Sequence, residues 1–361
     1  SDTLGSKSTA VGQSALFAQN FTTATDSHNT AVGYNAGVAV TTGINNTLIG
    51  STSGDAITTG QQNTAVGRAT LGATTTANNN TAMGYYALTT NTTAADNTAV
   101  GASALSANTT GSANTAVTTG VENVLIGAFA GDALTDADYN VAVGTAALTQ
   151  DTLGSRSVAI GQEALSAQNF TTATNAYNTA VGFTAGKVIT TGIYNTLIGA
   201  NAGDALTDAD TNVAVGADSL GADTKGSKST AVGHSALEAQ NFTTSTQTFN
   251  TAIGSDAGKA ISTGVQNTLI GSGAGDALTD SDENVAVGYG ALSTDTLGQY
   301  SVAIGRSALT AQNFTTATST GNTAVGYLAG TEVTTGTNNT LIGSAAGDAL
   351  TAAFENTAVG R

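Results

Sequence analysis

Proline, cysteine and tryptophan are absent from this 361-residue chain, methionine occurs once, and only 9% of its residues are charged. Average usage would give a chain of this length about 18 prolines and roughly a quarter charged residues, so both shortages ask for a structural cause. Without cysteine there is no disulfide framework, no thiolate metal site and no cysteine nucleophile, and the redox compartment stays open. Basic residues are scarce: nine Lys and Arg, scattered singly, stand against 25 Asp and Glu, for a formal net charge of -16 and a pI near 4.1. That balance argues against nucleic acid or an anionic membrane as partner. No apolar run approaches the roughly 18 residues of a membrane span, and 40% hydrophobic content exceeds that of a disordered chain. A soluble folded body is expected.

What the chain has in abundance is a repeat. The motif N-T-A-V-G, with Ser, Val, Leu and Ile as variants of its first four residues, ends at Gly12, Gly33, Gly50 and onward to Gly343 and Gly360. Its spacing is 17, lengthened to 21 after Gly12, Gly161, Gly233 and Gly305, which builds a super-repeat of 72 seen directly at Gly144, Gly216, Gly288 and Gly360. One irregularity falls near 114–127, where Asn114-Thr115-Ala116-Val117 is followed by Thr118 and the next motif glycine, Gly127, comes nine residues later. It reads as an eight-residue deletion within one coil of a single continuous repeat domain, 1–361.

A 17-residue unit is too short for a helical hairpin and lacks apolar 3.6 spacing, whereas the motif alternates as a short strand does. The fold class expected is all-β: a β-solenoid or β-roll of about 21 coils, each adding roughly 4.8 Å, for a rod on the order of 100 Å. Proline is then excluded because each coil donates N–H groups to its neighbours. The motif glycine suits a corner with positive φ or close backbone approach. The leading Asn tolerates left-handed geometry and can stack its amide on the next coil. Thr or Val at the second position and Val or Ile at the fourth share one face and are expected inward. Ala or Leu at the third, such as Ala31, Leu48, Leu197, Leu269 and Leu341, is then expected outward. An outward file of small apolar residues wants a partner, and a homotrimer, intertwined or packed side by side, is the expected solution.

Ser157-Val158-Ala159-Ile160-Gly161 and Ser301-Val302-Ala303-Ile304-Gly305 resemble the S-V-A-I-G repeats of YadA-like trimeric autotransporter adhesin heads, left-handed parallel β-rolls. The wider pattern in Asn29–Gly37 and Asn322–Gly330 is similar to repeats of phage tail-fibre proteins and of large bacterial surface proteins. The resemblance implies a trimeric extracellular fibre, on a virion tail or a cell surface.

Residue by residue, catalytic chemistry is not indicated. His28 occupies a slot held elsewhere by Tyr177, Phe249 and Gly321, and His234 one held by Gln13, Gln162 and Arg306, so both read as surface residues. Asp132, Asp136 and Asp138 recur as Asp204, Asp208, Asp210 and as Asp276, Asp280, Asp282, a D-x-x-x-D-x-D corner with hard oxygens that calcium accepts. It lacks the glycine turn of known calcium loops, and solvated charge is the plainer reading. The lengthened coils each carry one phenylalanine, Phe21, Phe170, Phe242 and Phe314, either a receptor contact on a loop or a filler between chains. Tyr34, Tyr85, Tyr86, Phe183 and Tyr327, just past the motif glycine, are open in the same way. Threonine ladders raise ice binding, against which stands T-x-V in place of T-x-T.

The function expected is mechanical and non-enzymatic: the shaft or head of a trimeric phage tail fibre serving host attachment. The partners are other copies of the chain and a host surface glycan or protein, and no cofactor is needed. A bacterial surface adhesin is the alternative. The chain begins and stops in mid-repeat, so head-to-tail filament growth through unpaired strand edges is a further one.

Overall fold

The computed structural model describes residues 2–106, 122–127 and 129–361. Their regular structure is all β, without a helix, and winds as a parallel β-solenoid with coils about 17 residues apart. The chain forms two compact units, Ser1–Tyr177 and Asn178–Arg361. Among the described residues, nine three-residue motif strands, Thr9–Val11 to Val158–Ile160, lie in the first and eleven, Thr179–Val181 to Thr357–Val359, in the second. Within the second unit each strand pairs in parallel with the next in register, as in Thr251↔Thr268, Ala252↔Leu269 and Ile253↔Ile270. Like therefore sits on like, and the 17-residue spacing is the register of the sheet. Proline's absence has its reason here, since motif N–H groups donate across coils: Gly254 N to the Val232 oxygen and Gly271 N to the Ile253 oxygen, each at 2.7 Å. Short two-residue pairs, such as Gly226–Ser227 with Thr246–Gln247, accompany the 21-residue coils.

At the irregular stretch, Thr98–Val100 meets Val124–Ile126 directly, through Val100↔Ile126. The degenerate motif at 114–117 lies outside the described residues.

The faces are the reverse of the expectation. Ala31, Leu48, Leu197, Leu269 and Leu341 are fully buried inside their own coils, while the flanking Thr/Val and Val/Ile files point outward. The reason is volume. A 17-residue coil closes on a lumen so narrow that the third position must be small or matched to a gap, whereas β-branched residues suit the outer face of a pleated sheet.

That matching is visible in the 72-residue period. Six residues past the third position, the coil carries either Leu or Gly. Ala214, Ala231, Ala286 and Ala303 go with Leu220, Leu237, Leu292 and Leu309, and Leu197, Leu269 and Leu341 with Gly203, Gly275 and Gly347. A Cβ on Gly275 would stand 2.8 Å from both Leu269 Cδ2 and Leu278 Cδ1, so the glycine makes room for the leucine. Where Ala252 goes with Gly258, the gap serves the next coil, since a Cβ on Gly258 would stand 2.7 Å from Leu269 Cδ1. The motif glycine answers a different demand: Gly254 has φ +136°, and a Cβ there would meet the Gly271 backbone at 2.6 Å.

Non-glycine residues also turn left-handed at several points of a coil, as at Asp218, Leu220 and Lys228, with φ of 57°, 51° and 65°. Each such residue ordinarily costs on the order of 1 kcal/mol. Their N–H groups bond to the coils on either side, to the oxygens of Ala200, Ala236 and Asp210. The leading Asn is not itself left-handed; the residue before it is, as at Asn45, Tyr194 and Gln266.

Buried asparagines join the coils from inside. Asn267 N donates to Asn250 Oδ1 at 2.9 Å, and Asn284 N to Asn267 Oδ1 at 3.0 Å. Each amide also closes its own coil, Asn284 Nδ2 reaching the Gly298 oxygen at 2.9 Å.

Leu269→Ala is expected to cost about 2–5 kcal/mol through the cavity it leaves, read as a lower denaturation midpoint. Gly275→Ala, whose Cβ would stand 2.8 Å from both Leu269 Cδ2 and Leu278 Cδ1, is expected to be destabilising as well, by about 1–3 kcal/mol.

Candidate functional site: an exposed sheet face and its borders

The outward files make one surface in each unit. In the second unit, eleven strands present Thr or Val beside Val or Ile, with no ionisable residue in either file. Parallel pairing keeps the strands about 4.8 Å apart, and residues two apart on a strand are separated by roughly 6.6 Å. The result is a regular apolar lattice in which Ile253 remains 40% exposed. Exposed rings border it, Phe183, Tyr289 and Tyr327 just past the motif glycine and Tyr194, Phe249 and Tyr300 just before the leading Asn or Ser. The Arg306 guanidinium lies over Tyr289 and Tyr327, 5.8 and 5.9 Å from the ring centres. In the first unit Tyr34 and Tyr85 are exposed at the equivalent position, and Tyr86 packs edge-on to Tyr85 at 4.3 Å. His28 and His234 are both exposed, one just before a leading Asn and one just past a motif glycine.

Phe21, Phe170, Phe242 and Phe314 are corrected from surface to interior: all are buried within the chain. Phe21 and Phe170 lie where a turn glycine leaves space; a Cβ on Gly5 would stand 2.8 Å from Phe21 Cδ2, and one on Gly154 2.7 Å from Phe170 Cδ2. The four rings lie buried within the 21-residue coils.

A buried polar cluster accompanies these coils. Asp223 takes a slot that Leu206 and Leu278 fill in other coils, and its side chain is fully buried. Its Oδ1 accepts from Gly226 N at 3.0 Å and Phe242 N at 3.1 Å, and its Oδ2 from Gln240 Nε2. Gln240 Nε2 also donates to Ser229 Oγ at 2.9 Å, and Gln240 Oε1 accepts from Asn250 Nδ2 at 2.9 Å. Asp295, Gln312, Ser301 and Asn322 repeat the arrangement. Where Ser replaces the leading Asn, this Gln carries the ladder across. Burial pushes the Asp223 carboxyl above its usual range, against the hydrogen bonds from Gln240, Phe242 and Gly226 that favour its charged form. These aspartates escape a reading centred on the motif, although their signal is there: Asp151, Asp223 and Asp295 recur at 72, each 17 residues before a Gln.

The acidic corners are dispersed. Asp210 Oδ1 accepts from Ile193 N and Asp282 Oδ1 from Val265 N, each at 2.8 Å. Asp280 accepts from Thr263 Oγ1, Asp132 from Thr149 Oγ1, and Asp208 pairs with Lys225 at 3.5 Å. Asp204 and Asp276 stand apart from them, lining a groove on the coil's side. Among the described residues, which include Asp136 and Asp138, no three acidic or histidine side chains form a group able to hold a metal ion. No helix among the described residues is long and apolar enough to cross a membrane.

The carboxyl carbon of Asp223, followed by NMR, is expected to titrate above 3.8. A raised folded-state pKa means that ionising this group opposes folding. Its penalty is full above the raised value and is relieved as pH falls through it toward the unfolded value. A midpoint below 3.8 would contradict the assignment. No family model matches this chain, and no curated protein matches it.

Proposed function

We propose that the chain is a segment of a non-catalytic, extracellular structural fibre in which three copies pack about a common axis through their Thr/Val–x–Val/Ile faces. The observation that carries this is the second unit's regular, uncharged lattice, exposed in a chain of net charge -16. Eleven strands at about 4.8 Å, roughly 15 Å wide with their borders, give on the order of 800 Å². That is the area one partner contributes to a stable protein interface. Contiguous apolar faces of this size mark contact sites, and copies with the same coil spacing would meet it in register. The motifs' likeness to tail-fibre repeats supports a virion tail fibre serving host attachment. Exposed histidines and dispersed carboxylates support a mechanical role without cofactor or metal.

Light scattering is expected to give three times 35.2 kDa, and Ile270→Asp to lower that mass while the β-rich circular dichroism persists. A monomeric parent would overturn the shared-axis reading and leave the Thr-bearing face to water or ice. Chelation with EDTA is expected to leave the melting temperature unchanged; a fall of several degrees would show that a metal is structural after all.

A further inference from the structure

Along one border of the sheet face, beside Tyr289, the second unit carries a groove whose lining stands outside the asparagine ladder. At the second residue past the motif glycine, coils place a left-handed residue with a side chain, such as Asn201, Asp218, Asp256 and Ser307. Two successive coils place Gly273 and Gly290 there. A Cβ on either would meet nothing closer than 3.7 Å, so these glycines are not demanded by crowding. Their effect is a cavity of about 510 Å³, bordered by Tyr289, Asp256, Asp276, Lys259, Ser293 and Ser307. A second cavity of about 680 Å³ continues from the shared Lys259 and Asp276 toward Asp204. Both fall within the size range of small-ligand sites.

Three features specify the ligand. Tyr289 is 63% exposed at the rim, with the Arg306 guanidinium 5.8 Å from its ring centre on one side. The Asp276 carboxylate lines both cavities, and its Oδ2 is the atom nearest the space left by Gly273, 3.7 Å from where a Cβ would stand. Lys259 faces two carboxylates, Asp256 at 3.1 Å and Glu238 at 3.5 Å, so with Asp276 the lining around it is net negative.

We infer that this groove binds a neutral saccharide, a pyranose stacking its C–H face on Tyr289 while its hydroxyls donate to Asp276 and exchange hydrogen bonds with Ser293 and Ser307. Carboxylated or sulfated sugars are disfavoured by Asp256 and Asp276, whose charges would stand against theirs. The site deepens the attachment role proposed above and rests on it for its purpose, though its geometry stands within one chain.

Saturation-transfer NMR on the full chain, with methyl glucoside, galactoside, mannoside and N-acetylglucosamine as probes, tests it. Transfer to at least one pyranose is expected. Tyr289→Ala should reduce it at least tenfold, and so should Gly290→Asn, which fills the gap with a residue that tolerates positive φ. Unchanged melting temperatures of both variants would show that the coil is intact. Absence of transfer from every probe, or transfer unaltered by both substitutions, overturns the inference. Solution mass measured on the same samples separates the two readings. A monomer that binds overturns the trimer alone, and a trimer that does not bind overturns the saccharide site alone.

Discussion

Everything in this chain depends on parallel, in-register hydrogen bonding between successive coils. A residue's partner is the residue one repeat away, so each local preference is repeated along the stack rather than averaged over a fold. The absence of proline, the glycine at the corner, the asparagine ladder and the left-handed residues all answer to that pairing. Left-handed backbone at leucine and tyrosine is costly in isolation, and the ladder helps to hold it where N–H groups such as those of Leu220, Leu237 and Tyr300 are spent on a neighbouring coil.

Inside the coil, volume rather than hydrophobicity decides sequence. The lumen admits Leu at the third position only where glycine faces it, and the 72-residue period records this alternation together with the exchange of apolar Ile and Leu for buried Asp and Gln. The Gln and the buried phenylalanine lie in the lengthened coils, and the Asp that each Gln meets lies in the 17-residue coil before it. They are thus interior devices, and the extra residues are accommodated without breaking the asparagine ladder.

The solenoid itself is legible from spacing alone, because a strict period with alternating residues and no proline has few solutions. The direction of the side chains is not. Alternation shows that Ala and Val point to opposite faces but not which face is the lumen. The expectation that the Val and Ile file lies inside is overturned by a lumen with room at the third position only for Ala, or for Leu beside a glycine gap. Read as volume compensation, the pairing of Leu197 with Gly203, or of Leu269 with Gly275, identifies the inward side. The saccharide groove is less accessible still, since Gly273 and Gly290 look ordinary in a chain with 45 glycines until the coils are stacked.

Because the chain has no cysteine, one measurement addresses the orientation and the shared face together: mild oxidation of two single-cysteine variants, Ala252→Cys and Ile253→Cys, followed by denaturing electrophoresis. Covalent dimers from Ile253→Cys and none from Ala252→Cys are predicted. Dimers from Ala252→Cys alone would contradict the account by placing the alanine file on the outside.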